Sequence, residues 1–174
     1  PTKCKTKCIA FLKKPRDLAP VMLCGNPLPW VESGKHLGNF FTNKIDGMRQ
    51  DIRVKRAKYI DRCNELLQEF HFAHPRTKFK MMEVYNSHFT GSPLWDLFSP
   101  EAVMLENTWN RNVRLTFDLP LQTHRYFVCP MSESPHLRFI LMKRFLSFIK
   151  KLELSKKPAV IHLFKLVEKD VKSI

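Results

Sequence analysis

The sequence predicts an α+β fold, mostly α: a small β-hairpin element over residues 1–41, then a bundle of five or six helices over residues 42–174. Three observations carry this. Early on, short apolar runs are separated by Gly, Pro and Asn, the punctuation of hairpins. Beyond residue 42, apolar residues recur at three-and-four spacing, the period of a helix buried on one side. Ser-Pro pairs at 99–100 and 134–135 set a capping side chain before the residue best tolerated in a first helical turn.

Each element follows from its residues. Lys3, Lys5 and Lys7 alternate with small residues before Ile9-Ala10-Phe11-Leu12, which suits a strand entering a core. The stretch 13–19 is a polar loop around Pro15, and Pro20 opens the next strand. Apolar runs 21–24 and 28–31 flank Gly25-Asn26-Pro27, so a small hairpin is expected. A polar corner, Glu32-Ser33-Gly34, leads into Lys35-His36-Leu37-Gly38. Trp30 belongs to the hairpin and to no helical stripe, unlike the aromatics that follow, which read as core.

From Asn39 the pattern changes, and Thr42 or Asn43 can cap the helix that follows. Ile45, Met48, Ile52, Tyr59, Cys63, Leu66, Leu67 and Phe70 form the buried stripe. Arg49, Arg53, Lys55, Arg56, Lys58 and Arg62 are expected on the opposite side. Gly47 weakens the first turn by ~1 kcal/mol, and Pro75 ends the run. A second helix is expected over residues 77–89, burying Phe79, Met82, Tyr85 and Phe89, until Thr90-Gly91-Ser92-Pro93 breaks it. Ser99-Pro100-Glu101 starts a third, with Ala102, Leu105, Trp109, Val113 and Phe117 inward. A short helix over 122–129 stops at Pro130. Ser134-Pro135 starts another, striped by Leu137, Leu141, Phe145, Phe148 and Leu152. Val160, Ile161, Phe164, Val167 and Val171 mark the last.

The chain is 44% hydrophobic and 26% charged, so it can bury a core and is not disordered in bulk. Its formal net charge of +14 predicts attraction to a polyanion, nucleic acid first, with an anionic membrane surface or plain solubility as the rival accounts. A second basic region covers residues 134–174, with ten Lys or Arg against three acids. No apolar run approaches the ~20 residues of a membrane span, and no signal-peptide core follows the Lys-rich start. Cys4, Cys8, Cys24, Cys63 and Cys129 are odd in number and scattered, which argues for reduced thiols in an intracellular protein. Cys4 and Cys8 with His71 and His74 are too far apart in sequence for a classical zinc finger, so no metal site is expected. No paired acids, phosphate loop or hydrolase motif is present. His88, His124 and His162 read as ordinary polar contacts.

Leu28, Val31, Lys35, Leu37 and Gly38 match a pattern of hydrophobic strand, polar turn and Lys-[Tyr/His]-Leu-Gly. It resembles the primer-grip hairpin that ends the palm in reverse transcriptases of non-LTR (LINE-like) retrotransposons. His36 stands where Tyr is usual. Residues 1–11 resemble the segment after the catalytic Asp-Asp turn of that family, and residues 89–98 and 119–126 resemble its downstream helical region. The resemblance implies a palm end, thumb and downstream helices of an RNA-directed DNA polymerase. Such a piece binds and positions an RNA–DNA or DNA duplex on template RNA, alongside the remainder of the polymerase. The chain begins inside this pattern and would be part of something longer. Catalytic carboxylates and Mg2+ would belong to the complete polymerase, so the chain is not expected to be active alone. Lys3 or Lys5 is the candidate general acid toward the departing pyrophosphate. Trp30, Lys35, His36, Arg49, Arg53, Lys55, Arg56, Lys58, Arg62, Lys143 and Arg144 are the candidate nucleic-acid contacts, with Arg138, Lys150 and Lys151 beside them. The alternative is a non-catalytic nucleic-acid-binding or protein-interaction module derived from a retrotransposon. For the basic residues between 49 and 62, the alternative is a solvated, salt-bridged helix face.

Overall fold

A computed structural model describes residues 6–9, 19–36, 38–43, 47–86 and 89–162. Two antiparallel hairpins come first, β1 (Met22–Leu23) with β2 (Asn26–Pro27), and β3 (Ser33–His36) with β4 (Asn39–Thr42). Helices follow: α1 (Gly47–Glu69), α2 (Pro75–Met81), α3 (Pro100–Thr116), α4 (Arg125–Ser132) and α5 (Leu137–Glu153). Residues 158–162 are helical as well. The fold is α+β and mostly α, as the sequence predicts.

The first hairpin is tighter than its apolar runs suggest. Cys24 (φ 51°) and Gly25 (φ 79°) both adopt positive φ at its corner, the mirror-image turn whose twist matches that of paired strands. Asn26 and Pro27 are strand residues, opposite Leu23 and Met22. A short parallel bridge ties Cys8 to Trp30, through Cys8 N to Pro29 O (3.1 Å) and Val31 N to Cys8 O (2.9 Å). The second hairpin carries the β element one residue past its expected end, into the candidate cap Thr42. Residues 39–42 pair with 33–36, Lys35 opposite Phe40 and His36 opposite Asn39. Thr42 is therefore a strand residue.

Ser99 behaves as the sequence requires: its side chain accepts from Ala102 N and Pro100 opens α3. Other boundaries shift. Pro75 is the first residue of α2, with His74 Nδ1 accepting from Arg76 N at 3.3 Å. After Met81 the helix widens into a π turn, Met82–Asn86. A wide turn brings residue i+4 beneath residue i, so Asn86 is buried and Tyr85, expected inside, is exposed. Pro130 lies inside α4 and does not stop it. His136, not Ser134, occupies the cap position of α5. The expected stripe of α5 is buried at Leu137 and Leu141 and open at Phe145.

The core gathers Ile52, Tyr59, Cys63 and Leu66 of α1, Phe79 and Met82, Phe89 and Trp95, and Leu105, Trp109 and Val113 of α3. Its aromatics form a chain. Tyr59 stacks on Trp109 (centroids 5.7 Å apart, planes at 17°) and tilts against Phe89 (5.6 Å). Phe89 meets Trp95 at 5.9 Å, and Phe79 meets Trp109 edge-on at 6.0 Å.

One polar cluster enters this core. Asp51, 3% exposed, accepts from Phe40 N (3.0 Å), Trp95 Nε1 (2.9 Å) and Lys55 Nζ (2.9 Å). Lys55 also donates to Asn39 Oδ1 (2.6 Å) and to the Thr90 carbonyl, with its ammonium 5.5 Å from the centre of the Trp95 ring. The ammonium's three donors each meet an acceptor, and the charge pair is desolvated but satisfied. Gly91 permits this approach. Its φ is +85°, and a Cβ there would lie 2.5 Å from Asn39 Oδ1 and 3.2 Å from Lys55 Nζ. Asp51→Ala leaves the ammonium buried without its counter-charge. It should cost about 3–5 kcal/mol, read as a lowered urea midpoint at unchanged m-value; a loss under ~1 kcal/mol would mean the cluster is incidental.

Candidate nucleic-acid interface

The basic residues of α1 do not share one face, contrary to expectation. Arg49, Arg53 and Arg56 follow i, i+4, i+7 spacing and line the flank against α3. Lys55, Lys58 and Arg62 follow i, i+3, i+7 spacing and line the other. On the first flank Arg53 Nη2 meets Glu101 Oε1 at 2.6 Å, Arg49 Nε lies 3.7 Å from Glu101 Oε2, and Arg56 Nε donates to Thr108 Oγ1 at 2.7 Å. The salt-bridged alternative thus describes Arg49 and Arg53. On the second flank Lys55, its side chain 10% exposed, is a structural residue. Lys58 and Arg62 are exposed. The stripe at i, i+4, i+7 that buries Ile52, Tyr59, Cys63 and Leu66 runs between the flanks, which is why one opposite face could not collect all six.

Trp30 is half-buried, held by the bridge to Cys8. Its Nε1 is buried, with no hydrogen-bond partner among the described residues. Lys35 and His36 are exposed on β3. Lys3 and Lys5 lie outside the described residues. Arg138 pairs with Glu106 at 3.1 Å.

Lys143 and Arg144 have a setting that the sequence did not reveal. They stand on α5 over a cleft of about 630 Å3, whose other wall is the segment 89–93. That wall includes the 3-10 turn Ser92–Leu94, entered through left-handed Gly91. Lys143, Arg144 and Lys151 supply its charge, and no acid occurs among its described lining residues. Partial burial pushes the Arg144 guanidinium below its ordinary pKa, although it stays charged at any physiological pH. The cleft adjoins the second hairpin. Asn39, opposite His36 in register, shares Lys55 Nζ with Thr90 O, and Thr90 lines the cleft. The structure thus brings together β3–β4, Lys55 and the Lys143–Arg144 turn of α5. It separates Arg49, Arg53 and Arg56 from them by placing these on the α3 side.

A second, polar groove between α1 and α3 is lined by Arg56, Asn64, Asn107 and Arg111. Among the described residues no group of three or more His, Cys, Asp or Glu side chains is placed to hold a metal ion. His71 Nδ1 lies 3.1 Å from Gln68 O, and His74 caps α2. His124 Nδ1 accepts from Tyr126 N at 3.4 Å, an ordinary contact of the kind expected. Cys8, Cys24, Cys63 and Cys129 are free thiols. Burial pushes Cys63 and Cys129 up, which disfavours the thiolate of each near neutral pH. Among the described residues no helix is long and apolar enough to cross a membrane.

Sequence reasoning missed Asn39, Asp51, Thr90 and Gly91 as the residues that join hairpin to cleft. The i, i+4 spacing of Asp51 and Lys55 was a legible signal of a pair, but not of its burial. No family model, curated protein or solved structure matches the chain.

Glu101 supplies a pH test. The hydrogen bond from Arg53, then its own backbone amide, and more weakly the charges of Arg53 and Arg49, hold its carboxyl below the usual range against the opposing effect of burial. A carboxyl depressed in the folded state stabilises fully above the unfolded value, about 4.3. That contribution declines as pH falls toward the folded value and is gone below it. Glu101→Gln should flatten this acid limb of the urea-midpoint profile; a variant profile parallel to the parent's would refute the pairing.

Proposed function

We propose that the chain binds and positions a primer–template duplex, as the palm-end hairpin, thumb and downstream helices of a LINE-like RNA-directed DNA polymerase. The bond-making carboxylates and their Mg2+ belong to the remainder of that polymerase. The observation that carries this reading is the Asn39–Lys55–Thr90 link. It fastens the hairpin that resembles a primer grip to the floor of a cleft rimmed by Lys143, Arg144 and Lys151. Exposed Lys35 and His36 on β3 and a net charge of +14 supply attraction to phosphate.

The duplex-facing cations in this reading are Lys35, Lys58 and Arg62, while Lys143 and Arg144 rim the cleft. Arg49 and Arg53 spend their charge on Glu101, and Lys55 holds the hairpin. Contacts of this kind follow phosphate spacing and duplex shape and tolerate any sequence, as copying requires.

A second reading has its own support. Phe139, Met142 and Leu146 recur on one exposed face of α5, an apolar surface of the sort that packs against protein. It favours a retained, non-catalytic interaction module.

Fluorescence anisotropy with an RNA–DNA hybrid of mixed sequence tests the first reading. Lys35→Ala, Lys58→Ala and Arg62→Ala together should lower affinity and reduce the slope of log K against log salt by about 2–3. Changing Arg49 and Arg53 to Ala should alter that slope less. Hybrid affinity indifferent to all five residues would overturn the duplex reading.

A further inference from the structure

The cleft beneath α5 differs in kind from a duplex-binding track. Its walls are largely apolar, built by Pro93 on one side and Ile140 and Phe148 on the other, with cations at Lys143, Arg144 and Lys151. A track for paired strands needs phosphate contacts and has little use for an apolar slot, because stacking within the duplex hides the base faces. An unpaired nucleotide presents both chemistries at once, a flat apolar base and a charged phosphate.

We infer that this cleft receives one unpaired base of a single strand, its flanking phosphates held by Lys143, Arg144 and Lys151. The inference deepens the nucleic-acid reading above and rests on it. Its volume of about 630 Å3 falls within the range of sites that enclose small organic groups, about 300–1,000 Å3. Half-buried Phe148 offers a ring beside aliphatic Ile140 and Pro93, a surface on which any base can stack.

Ser92 provides an independent sign. Its side chain is 1% exposed, it lines the cleft, and its Oγ has no hydrogen-bond partner among the described residues. A buried hydroxyl left unpaired is costly, and a small shift of this side chain toward the cleft would let the donors and acceptors of a base edge satisfy it. Charge agrees: the described lining holds three cations and no acid, which favours a polyanion over a peptide of mixed charge or a neutral lipid.

The position has a geometric consequence. The floor at Thr90 and Gly91 abuts Lys55 of α1 and Asn39 at the turn end of the second hairpin. A strand leaving a duplex held at that hairpin would pass the cleft.

The full chain is titrated with a labelled oligothymidylate of about ten nucleotides and with an abasic strand of the same length. The thymine strand should bind about tenfold more tightly. Phe148→Leu should erase most of that ratio, whereas Lys143→Glu should weaken both strands and leave the ratio intact. Equal binding of the two strands by the unaltered chain overturns the inference. So does a ratio that survives Phe148→Leu, which would put the base elsewhere. Hybrid affinity, measured separately, reports on duplex binding, so either idea can fail without the other.

Discussion

The Asp51–Lys55 pair is the constraint on which the arrangement depends. One carboxylate and one ammonium, both withdrawn from water, gather the β4 amide at Phe40, the Asn39 side chain, the Trp95 indole and the Thr90 carbonyl. These come from the hairpin, from α1 and from the loop after the π turn. Two small hairpins have too little apolar surface to fix their own position. The β3–β4 pair acquires one because its backbone and an amide side chain complete the coordination of a buried charge. Desolvating both ions is unfavourable, and a hydrophobic replacement of similar shape could be as stable. What the ions add is direction, since hydrogen bonds fix register where apolar contact tolerates sliding.

The positive charge of the chain divides accordingly. Arg49, Arg53 and Arg138 are tied to acids on α3, and Lys55 is inside. The cations of Lys35, Lys58, Arg62 and the α5 rim stand toward solvent or the cleft. Formal net charge therefore overstates the part that a ligand can meet. It also explains why helix α1, despite its six Lys or Arg residues, contributes less surface potential than its composition suggests.

Much of the fold was legible. Ser99-Pro100-Glu101 announced α3 to the residue, because cap, proline and first-turn acid all act locally. The stripes of α1 and α3 were legible from spacing alone. The misses share a cause. Asn39-Phe40-Phe41-Thr42 lacks the alternation of a half-exposed strand, and only pairing with Ser33–His36 makes it one. Ser134-Pro135 has the same local chemistry as Ser99-Pro100, yet α5 starts at Leu137. Asn86 replaces Tyr85 in the core through a π turn that no periodicity of 3.6 anticipates. Of the candidate interface, Lys143 and Arg144 were readable as basic positions, but their cleft joins segments some fifty residues apart. Lys55 was misread because composition counts a lysine as solvent-facing whatever surrounds it.

Gly91 gives the arrangement a hereditary signature. It touches the hairpin through Asn39, the buried ammonium through Lys55, and the cleft through its own backbone. A lineage that drifts at this codon would lose three separate surfaces in one step. Related chains should therefore either keep glycine there or have changed residues 39 and 55 along with it.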